Sequence, residues 1–282
     1  MAVRIVTDST AYLSTEHCKQ YDIQVVPLKV LFSGRVYKDG IDLTNEEFYN
    51  MLSKADKLPT TSQPSSGEFE EVYARLVAQG HEIISIHISG KLSGTVESAR
   101  AAAGQFPAAK IHVVDSFSTA FGLAMMVLET AQAVQQQYDS GYILHQLERM
   151  IRRTTVLFVV DTLEYLEKGG RIGTAHALLG TLLTIKPVLK IEDGLIVPVS
   201  SVRTKKKAIT FMLDQAVALV DQRPCRVAVA HAQVPDERDE LLALVRDQLN
   251  IAGEVLVSEV GPVIGTHTGP GVLGLAVYPL ED

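Results

Sequence analysis

An α/β fold is expected in two parts: an N-terminal parallel-sheet α/β domain over residues 1–160, then a C-terminal α+β domain with a mixed sheet over residues 161–282. Three observations predict it. Apolar runs alternate with segments of helical periodicity through the first half, the pattern of a parallel sheet with right-handed crossovers. After Val160 the rhythm changes to a hairpin followed by two long helices. A chain of 282 residues, 46% hydrophobic and 21% charged, is long enough for two domains and too apolar for disorder.

Element by element, Val3 to Val6 reads as a short buried strand, and Asp8-Ser9-Thr10 supplies N-cap chemistry after it. Ser14 to Tyr21 is a helix candidate, Val25 to Phe32 is strand-like, and Ser33-Gly34-Arg35 turns into Val36-Tyr37-Lys38. Thr44 with Glu47 forms a capping box ahead of Phe48, Met51 and Leu52. Lys57 to Gly67, dense in Pro, Ser and Thr, reads as a loop. Phe69, Val72 and Leu76 place a helix over Gly67 to Gln79. Next come a strand Glu82 to Ile88, a helix Ser93 to Phe106 and a strand Lys110 to Asp115. Helices Thr119 to Gln137 and Tyr142 to Arg153 lead to a strand Val156 to Val160. In the second half, Pro187 to Ile191 and Leu195 to Ser200 flank an Asp193-Gly194 hairpin turn. Helices over Thr204 to Asp221 and Asp236 to Leu249 alternate with strands Arg226 to His231, Glu254 to Val260 and Leu273 to Tyr278, with the helices expected on one face.

Composition removes several function classes. A formal net charge of −7 argues against a broad nucleic-acid footprint, which needs a basic face. Cys18 and Cys225 are too few and too far apart for a disulfide frame or a zinc site, so two reduced thiols and a cytoplasmic protein are expected. The N-terminus opens as a strand with no signal-peptide core, and no apolar run reaches the roughly 18 residues of a membrane span.

In parallel sheets ligands sit beyond the carboxyl ends of strands, where Ser89 to Thr95 and Asp115 to Thr119 fall. Two hydroxyl-rich turns, Thr60-Thr61-Ser62-Gln63-Pro64 and Lys91-Leu92-Ser93-Gly94-Thr95, offer donors for one carboxylate-sized group. Ser93 precedes a helix, whose free N–H groups favour anions; the plainer alternative is that Ser93 caps the helix and Thr61 shapes a turn. A nucleophile elbow would need Gly at positions 91 and 95, which hold Lys91 and Thr95. Gly269 to Gly274 spells GxGxxG, but too little chain follows for the helix and strand of a dinucleotide site. His267, between small residues, either faces a pocket or is an ordinary loop histidine; the other histidines lack metal-binding spacing, and no metal or cofactor is expected. Arg171, between Gly169-Gly170 and Gly173, either holds an anion or ties the domains by capping carbonyls. Arg203 with Lys205, Lys206 and Lys207 is a basic cluster that reads as a solvated face or as a docking site for an acidic partner.

These stretches resemble the DegV family, the fatty-acid-binding proteins of bacterial fatty acid kinase systems. The matching segments run in order: Val6-Thr7-Asp8-Ser9-Thr10, Thr61-Ser62-Gln63-Pro64, Leu92-Ser93-Gly94-Thr95, Val114-Asp115-Ser116, Glu164 to Ile172, Arg203-Thr204-Lys205-Lys206-Lys207 and His267 to Gly271. The resemblance implies a long-chain fatty acid, such as palmitate, buried between or within the domains. It implies that Thr61 and Ser93 hold the carboxylate, with Ser62, Gly94, Thr95, Arg171 and His267 around the head group. It further implies a separate kinase, similar to dihydroxyacetone kinases, that phosphorylates the bound acid to an acyl phosphate for phospholipid synthesis. Arg203, Lys205 and Lys206 are the expected docking residues, and the chain itself is a carrier, not an enzyme. A hydrolase or phosphatase acting on a lipid-like substrate through Arg171 and Ser93 is the alternative. The chain departs from the family pattern at Gly90, Val96 and Ala120-Phe121-Gly122.

Burying an acyl chain gains roughly 0.8 kcal/mol per methylene, so some fourteen methylenes contribute about 11 kcal/mol before ordering costs. Such a tunnel needs an opening. Thr119 to Gln137, which begins Thr119-Ala120-Phe121-Gly122 and holds Met125 and Met126, is either its gate or an ordinary core helix that happens to contain a glycine.

Overall fold

The structure, a computed structural model, describes residues 2–178 and 185–280. The chain opens with β1 (Val3–Asp8), α1 (Thr15–Tyr21), β2 (Gln24–Val26), β3 (Lys29–Phe32), β4 (Arg35–Lys38) and α2 (Asn45–Leu52). It continues through β5 (Thr60–Ser62), α3 (Ser66–Ala78), β6 (Glu82–His87), α4 (Thr95–Ala103) and β7 (Ile111–Asp115). Strands β2-β1-β6-β7 form an all-parallel sheet in that order. From β1 the chain moves to one side of this sheet and from β6 to the other, so the strand order reverses between their carboxyl ends. That reversal opens a crevice there.

The segment expected as a loop over 57–67 contains β5, three residues that pair antiparallel with β3 in a small sheet of order β4-β3-β5. Pro59 and Pro64 bracket it and cannot donate to a ladder, which keeps β5 short and at the edge.

The second part holds α5 (Ala120–Gln135), α6 (Ser140–Arg153), β8 (Thr155–Val159), α7 (Glu164–Lys168), β9 (Lys186–Glu192) and β10 (Leu195–Val202). It ends with α8 (Lys205–Val220), β11 (Cys225–His231), α9 (Pro235–Gln248), β12 (Leu256–Glu259), α10 (Pro262–Thr268) and β13 (Leu273–Pro279). A mixed sheet of order β10-β9-β8-β13-β11-β12 is antiparallel except for the β11–β12 pair. β8 lies ahead of the boundary expected at residue 160, yet it pairs with β9 and β13 and so belongs with the later sheet.

Helices cover both faces of the mixed sheet, not one. Leu157, Val159, Val227, Val229, Leu275 and Val277 pack with α8 and α9. The alternate residues Val156, Phe158, Ala228, Ala230 and Ala276 join the core that includes α5. Strands apolar on both sides require this double cover. α5 lies between the sheets, touching β1 and β6 on one side and β11, β12 and β13 on the other. Its buried residues run almost without break from Ala120 to Ala131, and a helix apolar all round is a buried helix.

Of the two readings of this segment, the burial favours the core helix over the gate. A Cβ on Gly122 would lie 2.3 Å from Ser118 Oγ and 2.6 Å from Val156 Cγ2. The glycine permits close packing; it does not loosen the helix.

Candidate functional site

A cavity of about 290 Å³ sits where the parallel, small and mixed sheets meet α10. Its wall is mainly apolar, with Leu28, Ile88, Phe121, Phe158, Ile196 and Val263 among its residues. Thr61, Ser62, Ser93, Arg171 and His267 also line it, although they come from four separate stretches of chain.

Thr61 reaches the cavity from β5, held opposite Val30. Its Oγ1 lies 2.7 Å from His267 Nε2. His267 was expected in a loop but stands in the last turn of α10. That helix starts at Pro262, and its first-turn amides are met from outside: Val263 N–H donates to Asp39 Oδ1 at 3.4 Å and Ile264 N–H to the Tyr12 hydroxyl at 2.9 Å. Burial, and secondarily the Arg171 guanidinium, push the His267 imidazole down to about 4. The ring is thus neutral near pH 7. Among the described residues its buried Nδ1 has no hydrogen-bond partner, and it lies against Gly169, where a Cβ would come within 2.3 Å.

Ser93 closes a turn after β6, with Leu92 N–H and Ser93 N–H both donating to Ser89 O. Its hydroxyl bonds the Thr95 hydroxyl at 2.8 Å. The N-cap of α4 is Gly94, and no side chain caps that helix. Gly94 and Thr95 stand behind the cavity wall, not on it. Gln63, to which residue type alone assigns no role, ties β5 to this turn: its Nε2 donates to Gly94 O at 3.1 Å and to Ser98 Oγ at 3.0 Å. A Cβ on Gly94 would lie 2.2 Å from Gln63 Oε1, so a side chain there would displace the Gln63 amide from this crossing.

Arg171 combines both expected roles. It lines the cavity, and it also donates to Leu92 O at 3.1 Å and Gly169 O at 2.8 Å, tying the Ser93 turn to the loop after α7. Thr119, at the end of the second post-strand loop, also lines the cavity, and among the described residues its buried Oγ1 has no partner. The basic cluster lies elsewhere. Arg203 and Lys206 are exposed, whereas Lys205 is held by Glu237 at 2.7 Å and Asp161 at 3.7 Å, which suits it poorly to docking. The glycines from 269 to 274 run straight into β13, as expected of a sequence that is no dinucleotide fingerprint.

The catalytic possibilities are narrow. Ser93 Oγ meets a threonine and no base. Thr61 does meet a histidine, but that imidazole is weakly basic and no group among the described residues orients its Nδ1, so the triad logic fails there. A second string, Asp8–His87–Ser85–Tyr73, is fully buried beneath the parallel sheet's end and is closed to a substrate. Among the described residues, no group of three His, Cys, Asp or Glu side chains is placed to hold a metal ion.

Comparison with known proteins agrees with this geometry. A family model described as "Uncharacterised protein, DegV family" matches residues 2–280. The chain belongs to the DegV family. A DegV domain-containing protein of Halalkalibacterium halodurans is 40% identical over 278 residues, covering 98% of both chains. A fatty-acid-binding DegV family protein from Thermus thermophilus superposes with a TM-score of 0.95 at 38% identity, covering 99% of this chain and 100% of that one. A stearic-acid-binding protein from Eubacterium ventriosum gives a TM-score of 0.91 at 28% identity, covering 99% of this chain and 98% of that one.

Proposed function

We propose that this chain binds a long-chain fatty acid in the 290 Å³ cavity and presents its carboxylate to a separate kinase for acyl-phosphate formation. The observation that carries the proposal is the joining of the polar side chains Thr61, Ser93, Arg171 and His267 on a mainly apolar cavity, with no competent nucleophile–base–acid set among the described residues. A buried carboxylate must be paired, and hydroxyl donors meet that need without catalysis. Neutral His267 donates once. With its proton on Nε2 it donates to Thr61 Oγ1, which frees the Thr61 O–H to point at the carboxylate. Relatives that bind fatty acids support the ligand class.

In this proposal palmitate is a suitable ligand, and no cofactor is needed. The two expected domains are the lobes about the parallel and mixed sheets, with β8 in the second. Arg203 and Lys206, both exposed, face a dihydroxyacetone-kinase-like partner whose product enters phospholipid synthesis. We place the protein in the cytoplasm; no helix among the described residues is long and apolar enough to cross a membrane.

Calorimetric titration with palmitate and with its methyl ester tests the head-group half. The acid should bind at least about ten-fold tighter, because the ester cannot present a charged oxygen pair. Equal affinity would remove the carboxylate from this corner. Adding the kinase and ATP to palmitate-loaded protein should release acyl phosphate, and loaded protein that the kinase leaves untouched would remove the presenting role.

A further inference from the structure

The three supports of the polar corner, β5, the Ser89–Ser93 turn and α10, are far apart in sequence and share no strand or helix. The segments that hold them, Ile88 ahead of the turn, Leu28 ahead of the β3 partner of β5, and Asp39 beneath α10, are bonded to two adjacent residues at the carboxyl end of β1. We propose that Asp8 and Ser9 are positioning residues of the head-group site, an inference that rests on the fatty-acid reading above.

Asp8 is fully buried, and its carboxyl accepts four hydrogen bonds. Oδ1 takes Thr10 N–H and the Thr10 hydroxyl. Oδ2 takes Ile88 N–H at 2.9 Å and His87 Nδ1 at 3.1 Å. Ile88 lines the cavity and feeds directly into the turn that ends at Ser93. His87 is fixed in turn by Ser85 at 2.7 Å, and Ser85 by the Tyr73 hydroxyl at 2.7 Å. With the proton on Nδ1, the string Tyr73–Ser85–His87–Asp8 uses every donor in one direction. It thus acts as a buried brace behind the Ser93 turn.

Ser9 serves the other two supports. Its Oγ accepts Leu28 N–H at 3.1 Å, just before β3, the strand that holds Thr61 opposite Val30. The same hydroxyl donates to Asp39 Oδ2 at 2.7 Å. Asp39 Oδ1 receives Val263 N–H from the first turn of the short helix that carries His267. The Asp8-Ser9 dipeptide therefore holds the backbone at Ile88, Leu28 and, through Asp39, Val263, in the segments that lead to Ser93, to the Val30 partner of Thr61 and to His267, and neither residue lines the cavity. Because these groups are buried, a lost bond leaves an unsatisfied polar atom, and the backbone it held shifts to recover one.

The test separates positioning from general damage by using two ligands of the same chain length, palmitate and hexadecanol. Affinities are measured for the wild type, Asp8→Asn and Ser9→Ala, with melting temperatures alongside. Positioning predicts that palmitate weakens about ten-fold or more in each variant while hexadecanol, held by the apolar wall, changes far less. Parallel losses for both ligands, or no loss for either, overturn it. Should Asp8→Asn not yield folded protein, Ser9→Ala decides alone, since it leaves the His87 brace intact. A wild type that binds neither ligand overturns the fatty-acid reading and this inference together. A wild type that binds palmitate, with variants that lose both ligands equally, overturns the positioning role only.

Discussion

Replacing Thr61 with Val keeps the branched side chain that suits β5 and deletes one hydroxyl. That hydroxyl's partner is His267 Nε2 at 2.7 Å, and the other ring nitrogen has no partner among the described residues. Thr61→Val therefore leaves the imidazole with no hydrogen bond, costing about 1–3 kcal/mol of stability. That cost is present in both empty and loaded protein and cancels from the binding equilibrium. What remains is the lost bond to the carboxylate, about 1.5–3 kcal/mol, which is roughly a 10- to 150-fold rise in Kd. Ser93→Ala removes a bond to Thr95 Oγ1, a hydroxyl able to turn elsewhere, so its stability cost should be smaller while its effect on Kd is similar. Both quantities are accessible: melting of delipidated protein, and displacement of a fluorescent fatty acid. A Thr61→Val variant that melts early but binds palmitate normally would refute the relay from His267 through Thr61. Normal binding in Ser93→Ala as well would remove both hydroxyls from the head-group site.

Three further outcomes are expected. His267, held near 4 against an ordinary 6.5, stays neutral in the folded chain between those values while the unfolded chain takes up a proton. Its contribution is therefore complete above pH 6.5 and falls by about 3 kcal/mol as pH drops to 4, a loss that His267→Gln should lack in pH-resolved denaturation. A bound carboxylate favours the imidazolium, so loaded protein should lose less; identical acid profiles with and without ligand would contradict the placement of the head group beside this ring. Gly122→Ala drives a methyl into Ser118 Oγ and Val156 and should destabilise by about 1–3 kcal/mol with little change in ligand exchange rate, whereas faster or slower exchange without a melting shift would restore α5 as a gate. Lys205→Ala should lower the melting temperature through its ion pairs with Glu237 and Asp161, while Arg203→Ala should leave melting and lipid loading intact and reduce acyl-phosphate formation per loaded molecule.

What the sequence disclosed is what local physics controls. The capping box at Thr44 and Glu47 and the apolar spacing before Leu76 mark helix starts and faces that depend on residues only a few positions apart. The parallel sheet was legible because Val3 to Val6 and Glu82 to Ile88 are apolar runs bounded by turn residues. β5 was not, since three residues between prolines carry no periodicity and become a strand only when β3 arrives. α10 was hidden for a related reason. Gly265 reads as a helix breaker, yet a Cβ there would lie 2.7 Å from the Tyr49 hydroxyl, so the glycine serves packing against α2. Gly122 misled in the same way. The Asp8 and Ser9 contacts span 80 and 30 residues, and no local pattern encodes such a junction. The individual donors Thr61, Ser93, Arg171 and His267 could be named from residue type and resemblance. Their assembly, and Gln63 as the tie between two of them, follow from long-range packing.

The most direct test of the central claim is native mass spectrometry of the protein as purified from its expression host, with the bound molecule extracted and identified. Binding in the cavity predicts a one-to-one adduct that extracts as a long-chain fatty acid and is depleted in the Thr61→Val, Ser93→Ala double variant. A protein that carries no lipid and takes none up when offered palmitate would contradict it, as would an adduct retained in full by the double variant.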